Sequence, residues 1–182
     1  MSATPRAFSA TSIALHWLVA AGILGMIGFG VWVGAMESGP DKTAAIQIHK
    51  SCGVLVGALA LLRLVWRSRE GFPPAAAHAP SWETRVARRV HEAMLLLTVA
   101  IPVTGMLKSV TYARPVEVFG APLIPKLLAE KNVPWNEAVS LAHSTFAYLL
   151  AAIIVLHVGA ALKHHVVDGD GMLWRMIKPV AR

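Results

Sequence analysis

Histidines inside long apolar stretches are the residues of this sequence that point most directly to chemistry. The chain has eight histidines, and five lie in segments long enough to cross a bilayer: His16, His49, His91, His143 and His157. Ionisable side chains are costly at membrane depth and usually serve a function there. One such histidine alone could be a core residue bonded to a backbone carbonyl. Five in a chain of 182 residues indicate a set of ligands.

The spacing of these histidines predicts two layers. His143 and His157 are 14 residues apart, which is about 3.9 helical turns and about 21 Å of rise, so both lie on one helix face near opposite membrane surfaces. His16 follows the N-terminus and is expected at the depth of His157, in what we call layer 1. His49 follows a short loop and is expected at the depth of His143, in layer 2. Each layer therefore receives imidazoles from at least two helices.

Opposed neutral imidazoles are the ligands of bis-histidine haem iron. His91 also falls at layer 1, so His16, His91 and His157 compete there, and spacing alone does not choose among them. The single cysteine, Cys52, and the absence of a C-x-x-C-H motif exclude covalent c-type attachment and thiolate iron–sulfur clusters. A zinc or copper site fits poorly, because such ligands gather around one point. The sequence thus predicts two non-covalent haems of the b type.

Small and basic residues on the same helices fit this prediction. Gly53 and Gly57 follow the histidine of the second helix at one-turn intervals and would leave space for a flat macrocycle. Gly30 lies 14 residues after His16, on the same face but in layer 2. Arg63 lies 14 residues after the second-helix histidine and could reach the propionates of the layer 1 haem. The alternatives are close helix packing for the glycines and a snorkelling charge for Arg63.

Composition indicates an integral membrane protein of the all-α class. Hydrophobic residues make up 55% of the chain, charged residues 15%, and the mean hydropathy is +0.56. About 20 apolar residues cross the hydrocarbon as a helix, and four segments qualify. We expect one domain over residues 1–182, a four-helix transmembrane bundle with helices at about 12–36, 43–66, 85–107 and 138–165.

The distribution of basic residues predicts that both termini are cytoplasmic. Eleven Lys and Arg lie on the side of the termini: Arg6, Arg63, Arg67, Arg69, Arg85, Arg88, Arg89, Lys163, Arg175, Lys178 and Arg182. Six lie on the other side: Lys42, Lys50, Lys108, Arg114, Lys126 and Lys131. The richer side is normally cytoplasmic. The net charge of +7 is therefore attributed to topology and lipid headgroups rather than to nucleic acid.

Loops and polar ends complete the organisation. A Gly39–Pro40 pair is expected to interrupt the helical pattern in the loop after the first helix, and Ser81 is expected to start the third helix. The stretch 126–128 could form a short surface helix. His164 and His165 end the fourth helix, where interfacial polar residues are the more common interpretation and a quinone site the alternative. His78 lies in a proline-rich loop and is expected to be solvated.

Five motifs resemble those of the bacterial cytochrome b561 family, which includes superoxide:ubiquinone oxidoreductases. They are IALHW (13–17), IHKSCG (48–53), RVHEAML (89–95), LAHSTFAY (141–148) and LHVGAALKHH (156–165). The chain is more distantly similar to the cytochrome b subunits of formate dehydrogenases and nickel–iron hydrogenases. The resemblance covers essentially the whole chain, in order.

The resemblance implies the ligand pairs that spacing leaves open. It pairs His16 with His157 and His49 with His143, leaves His91 without iron, and places a quinone near His164. It also implies a multi-pass protein of the bacterial inner membrane with two haem b and ubiquinone as substrate. A homodimer is compatible with the sequence.

Two functions follow as expectations. In the first, superoxide is oxidised at the periplasmic face and ubiquinone is reduced at the other face, with the cofactors supplying the redox chemistry. In the second, the chain is a cytochrome b anchor that passes electrons between quinone and a periplasmic redox protein. A sensor or purely structural role has no appended domain to support it.

Overall fold

Four long helices make up most of the structure, a computed structural model that describes residues 8–71, 81–169 and 171–177. The helices are α1 (Ala10–Ala35), α2 (Pro40–Glu70), α3 (Ser81–Thr111) and α4 (Val133–Lys163). His78 and the prolines of its loop lie outside the described residues.

The helices begin where capping chemistry allows. The side chain of Ser9 accepts a hydrogen bond from the backbone N–H of Ser12, and Asn132 caps α4 by accepting from the N–H of Trp135. Helix α2 begins at Pro40, three residues before the predicted start at about residue 43, so Pro40 opens the helix instead of lying in the loop before it. Proline is well suited to the first turn, because its ring fixes φ and its missing N–H would have no partner there.

All four long helices are long and apolar enough to cross a membrane. The most apolar windows have mean hydropathies of 2.0, 1.6, 1.8 and 2.2 in chain order. Large apolar side chains face outward along them, including Leu141, Val155 and Leu156, each at least 68% exposed. An apolar exterior is what a lipid environment favours. The predicted four-helix membrane bundle is confirmed, and the sidedness of the termini stays a prediction.

The closest packing joins helices that follow one another in the chain. Helix α2 packs between α1 and α3, and α3 packs against α4. A core cluster of Val19, Ile23, Ala60 and Leu150 occupies the centre, and partly buried apolar side chains pack against it. Leu150 is fully buried and lies seven residues from both His143 and His157. The core therefore separates the two histidine layers.

The loop between α3 and α4 forms a β-hairpin. Strand β1 (Val116–Val118) pairs antiparallel with β2 (Ala121–Ile124). The two-residue turn Phe119–Gly120 has positive φ at both positions, as a type I′ turn requires. The expected short helix at 126–128 is wrong, because these residues adopt no regular structure.

Beyond α4 the chain changes its helical form. Residues His164–Asp168 form one π-helical turn, followed by a short helix α5 (Met172–Arg175). The indole N–H of Trp17 in α1 donates to the carbonyl of Met176 at 2.7 Å. The end of the described chain is thus fastened to the start of α1, beside layer 1.

Candidate functional site

Layer 2 is formed by His49 of α2 and His143 of α4. Their ring centroids are 6.5 Å apart and their planes cross at 80°. Each imidazole faces a glycine of another helix. A Cβ atom built on Gly30 would lie 3.2 Å from Cε1 of His49, and one built on Gly105 would lie 3.2 Å from Cε1 of His143. The backbone therefore approaches both rings closely.

Layer 1 brings together three histidines from three helices. The rings of His16 and His157 have centroids 6.5 Å apart at an interplanar angle of 62°. The ring of His91 lies closer to that of His157, at 5.1 Å and 87°. The two layers and their members agree with the spacing of the sequence.

The 6.5 Å separations fit a metal ion between two imidazoles. A metal–imidazole bond is about 2 Å, and a ring nitrogen lies about 1 Å from its ring centre, so a bis-histidine pair has centroids about 6 Å apart. Both the His16/His157 pair and the His49/His143 pair have this spacing. His91 is too close to His157 to share a metal with it in this arrangement.

A bare metal ion would lack ligands at either layer. Within residues 8–71, 81–169 and 171–177, no three His, Cys, Asp or Glu side chains are arranged so that they could hold a metal ion. Two imidazoles in opposed positions leave four equatorial ligand positions to be filled by something else. A porphyrin supplies these four nitrogens and accepts axial imidazoles. The donor set therefore fits haem and does not fit zinc.

The partners of Nδ1 differ among the histidines of the two layers. His143 Nδ1 lies 3.0 Å from the carbonyl oxygen of Ile101, which can only accept, so Nδ1 has the proton and Nε2 keeps its lone pair. His91 likewise donates from Nδ1 to the carbonyl of Ala87 at 2.6 Å. His49 Nδ1 is buried without a hydrogen-bond partner in the described part of the chain.

His16 has a different partner. Its Nδ1 lies 2.9 Å from Nη2 of Arg63. A guanidinium only donates, so Nδ1 of His16 accepts and a neutral ring then has its hydrogen on Nε2. Binding of iron through Nε2 of His16 requires Arg63 to release Nδ1. Arg63 is thus at layer 1, as its spacing predicted, but it contacts the histidine.

The three glycines singled out in the sequence make different contacts. Gly30 lies against the ring of His49 in layer 2, as its spacing predicted. Gly57 lies against Pro102 of α3, where a Cβ would come within 2.7 Å of the proline ring, so it serves close helix packing. A Cβ on Gly53 would meet only the end of Met26, at 3.5 Å. Sequence reasoning missed Gly105, although it follows His91 by the same 14 residues that separate His16 and Gly30.

The polar end of α4 is organised around one carboxylate. Asp168 Oδ2 lies 2.9 Å from Nζ of Lys163 and 3.0 Å from Nδ1 of His164. The π-helical turn contains both His164 and Asp168, and such turns are frequent at functional sites. His165 instead packs edge-on against Trp174, with centroids 6.0 Å apart.

The hairpin is fixed to the helix that contains His49. Ser51 Oγ accepts from the N–H of Phe119 at 2.9 Å, and Lys50 Nζ donates to the carbonyl of Pro115 at 3.1 Å. The base of the hairpin is buried at Val116. Lys50 and Ser51 therefore hold the hairpin against the end of the bundle near His49.

The family model for prokaryotic cytochrome b561 matches residues 7–179. The chain belongs to this family. It is 34% identical to cytochrome b561 homolog 2 of Escherichia coli (strain K12) over 176 residues, or 96% of this chain and 93% of the relative. It is 24% identical to cytochrome b561 homolog 1 of the same organism over 177 residues, covering 93% and 96%.

A further relative has a name that states an activity. The chain is 26% identical to the probable superoxide oxidase CybB of Yersinia pestis over 173 residues, covering 94% of this chain and 96% of that protein. Members of the cytochrome b561 family are membrane electron-transfer proteins that bind haem b. The expected family, fold and cofactor class are confirmed. The ligand pairs stay predictions.

Proposed function

We propose that the protein holds two haem b, one at each layer, and passes electrons between them. His49 and His143 would ligate the haem of layer 2, and His16 and His157 that of layer 1. The observation that supports this best is the equal 6.5 Å spacing of the two ring pairs. The haems supply the one-electron chemistry, and the chain supplies ligation, spacing and local field.

At layer 1 the chain also offers donors for haem propionates. Haem binding would release Arg63 from His16, and a propionate carboxylate is a strong acceptor for a guanidinium. Trp66 lies one turn after Arg63, and its buried Nε1 has no acceptor in the described part of the chain. Both groups lie near the layer that would receive the propionates. Arg63 and Trp66 are therefore proposed as propionate partners.

We assign the direction of electron transfer from the distribution of basic residues between the two ends of the bundle. The positive-inside rule places layer 1 and both termini in the cytoplasm and the hairpin in the periplasm of a bacterial inner membrane. Superoxide would lose an electron at the hairpin end, giving dioxygen, and ubiquinone would be reduced near His164. Two superoxide ions supply two electrons, and the quinone takes up two protons to form quinol. The name of the Yersinia pestis relative supports this substrate.

The test uses purified protein in lipid nanodiscs with a water-soluble ubiquinone. We expect two haems per chain by pyridine haemochrome, and quinone reduction that requires superoxide and stops when superoxide dismutase is added. One haem per well-loaded chain would contradict the two-site arrangement. Two haems that exchange electrons with quinol but not with superoxide would instead favour the anchor function, with a periplasmic protein as partner.

A further inference from the structure

Helix α3 contacts the ring of His143 with two acceptors. The ring Nδ1 lies 3.0 Å from the carbonyl oxygen of Ile101 and 3.2 Å from Oγ1 of Thr104. The hydroxyl of Thr104 is itself within reach of the carbonyls of Ala100 and Ile101, at 2.9 and 2.8 Å. Since it donates to one of these carbonyls, Oγ1 faces His143 as an acceptor. The Nδ1–H of His143 is therefore shared between two oxygens of α3.

Gly105 places the backbone of α3 against the same ring. A Cβ at this position would lie 3.2 Å from Cε1 and 3.5 Å from Nδ1 of His143. The first distance is tighter than ordinary van der Waals contact, so any larger residue would push the ring away. Contacts from about one helical turn of α3 thus define where the ring lies and hold Nδ1 against this helix.

The position of α3 is fixed on its other side by α2. Pro102 packs against Gly57, where an added Cβ would come within 2.7 Å of the proline Cβ. Helix α2 also contains His49, the proposed partner of His143. The contact between Pro102 and Gly57 therefore fixes α3, which contacts the ring of His143, against α2, which contains His49.

The two proposed ligands of layer 2 are held differently. His49 Nδ1 is buried and has no hydrogen-bond partner in the described residues, although the backbone at Gly30 packs closely against its ring. A histidine that donates from Nδ1 is a stronger electron donor to its metal, and loss of such a partner typically lowers metal affinity 10- to 100-fold. The pair is therefore asymmetric.

We propose that α3, which supplies no iron ligand to layer 2, positions His143 through Ile101, Thr104 and Gly105 and so sets the affinity and potential of that haem. Thr104 and Gly105 act through His143 and are positioning residues. The inference rests on the proposed haem at layer 2. It names a role for α3 that differs from its contribution of His91 to layer 1.

The first test compares two identical substitutions in transmembrane helices. Gly105→Ala should displace the ring of His143 by a few tenths of an ångström. We expect about tenfold lower haem affinity at layer 2 and an altered low-spin EPR signal for that haem alone. Gly28→Ala is the control, because a Cβ there meets nothing within 4 Å. Both substitutions favour helix by about 1 kcal/mol, so propensity cannot explain a difference between them.

The second test removes only the hydroxyl. Thr104→Val keeps the branched shape and should change the EPR signal and midpoint potential of the layer 2 haem, while Thr104→Ser should restore both. Unchanged signals in Gly105→Ala and Thr104→Val would overturn the proposal. Equal changes in Gly28→Ala, or the loss of both haems, would also overturn it. Wild-type protein that binds no haem at layer 2 would refute the proposed ligation first, which separates the two failures.

Discussion

The two layers predict that each haem can be removed without the other. His157→Ala breaks the layer 1 pair, and His143→Ala breaks the layer 2 pair, whose ring centroids are each 6.5 Å apart in the wild type. Each variant should retain about one haem in place of two. The histidines are separated by 14 residues of one helix, or about 21 Å. Effects of substitutions add independently beyond about 7–10 Å, so the spectrum of the remaining haem should be largely unchanged.

The assay is haem quantitation by pyridine haemochrome together with optical redox titration of each variant. His91→Ala is the matched control, because this histidine lies in layer 1 without a proposed iron bond, and it should retain both haems. If His91→Ala lost a haem and His16→Ala did not, the pairing of α1 with α4 would be wrong. If either His143→Ala or His157→Ala lost both haems, the layers would not be independent.

Three more predictions concern rate and stability. His164→Ala should slow quinone reduction while superoxide still reduces the haems quickly in stopped-flow spectra; equal slowing of both steps would argue against a quinone near α4. The superoxide rate should fall with added salt if basic side chains steer the anion, because exposed charges are screened over about 10 Å at 0.1 M; a rate independent of salt would exclude steering. Leu150→Ala should lower the free energy of unfolding by about 2–5 kcal/mol, measured by thermal loss of the haem spectrum, whereas the exposed Val155→Ala should change it little.

Periodicity explains why the helices and layers could be predicted. A repeat of 14 residues is close to four helical turns, so it relates His143 to His157, His16 to Gly30 and the histidine of α2 to Arg63 without knowledge of packing. The same interval relates His91 to Gly105. The sequence gives no reason to connect Gly105 with layer 2, because the histidine 14 residues before it lies in layer 1 and has no iron in the family resemblance.

Tertiary contacts explain what could not be predicted. The hairpin depends on Ser51 and Lys50, which are far from it in the chain. Side-chain partners such as the Arg63–His16 contact are likewise set by how α1 and α2 pack, and the sequence pattern only places both residues at one depth. The polar residues from Lys163 to His165 mark the end of α4 in the sequence, but no local signal distinguishes a π-helical turn from an α-helical one there.

The apolar core around Leu150 has a consequence for the membrane potential. It lies between the two layers, with Leu150 seven residues from His143 and seven from His157, so electrons that move between the proposed haems pass this core. With the proposed orientation, each electron moves about 21 Å through a hydrocarbon region of about 30 Å. A full crossing is worth about 2.3 kcal/mol per charge at 100 mV, so each transfer toward a negative interior works against about 1.6 kcal/mol. Turnover in sealed vesicles should therefore be electrogenic and should slow as an inside-negative potential is imposed.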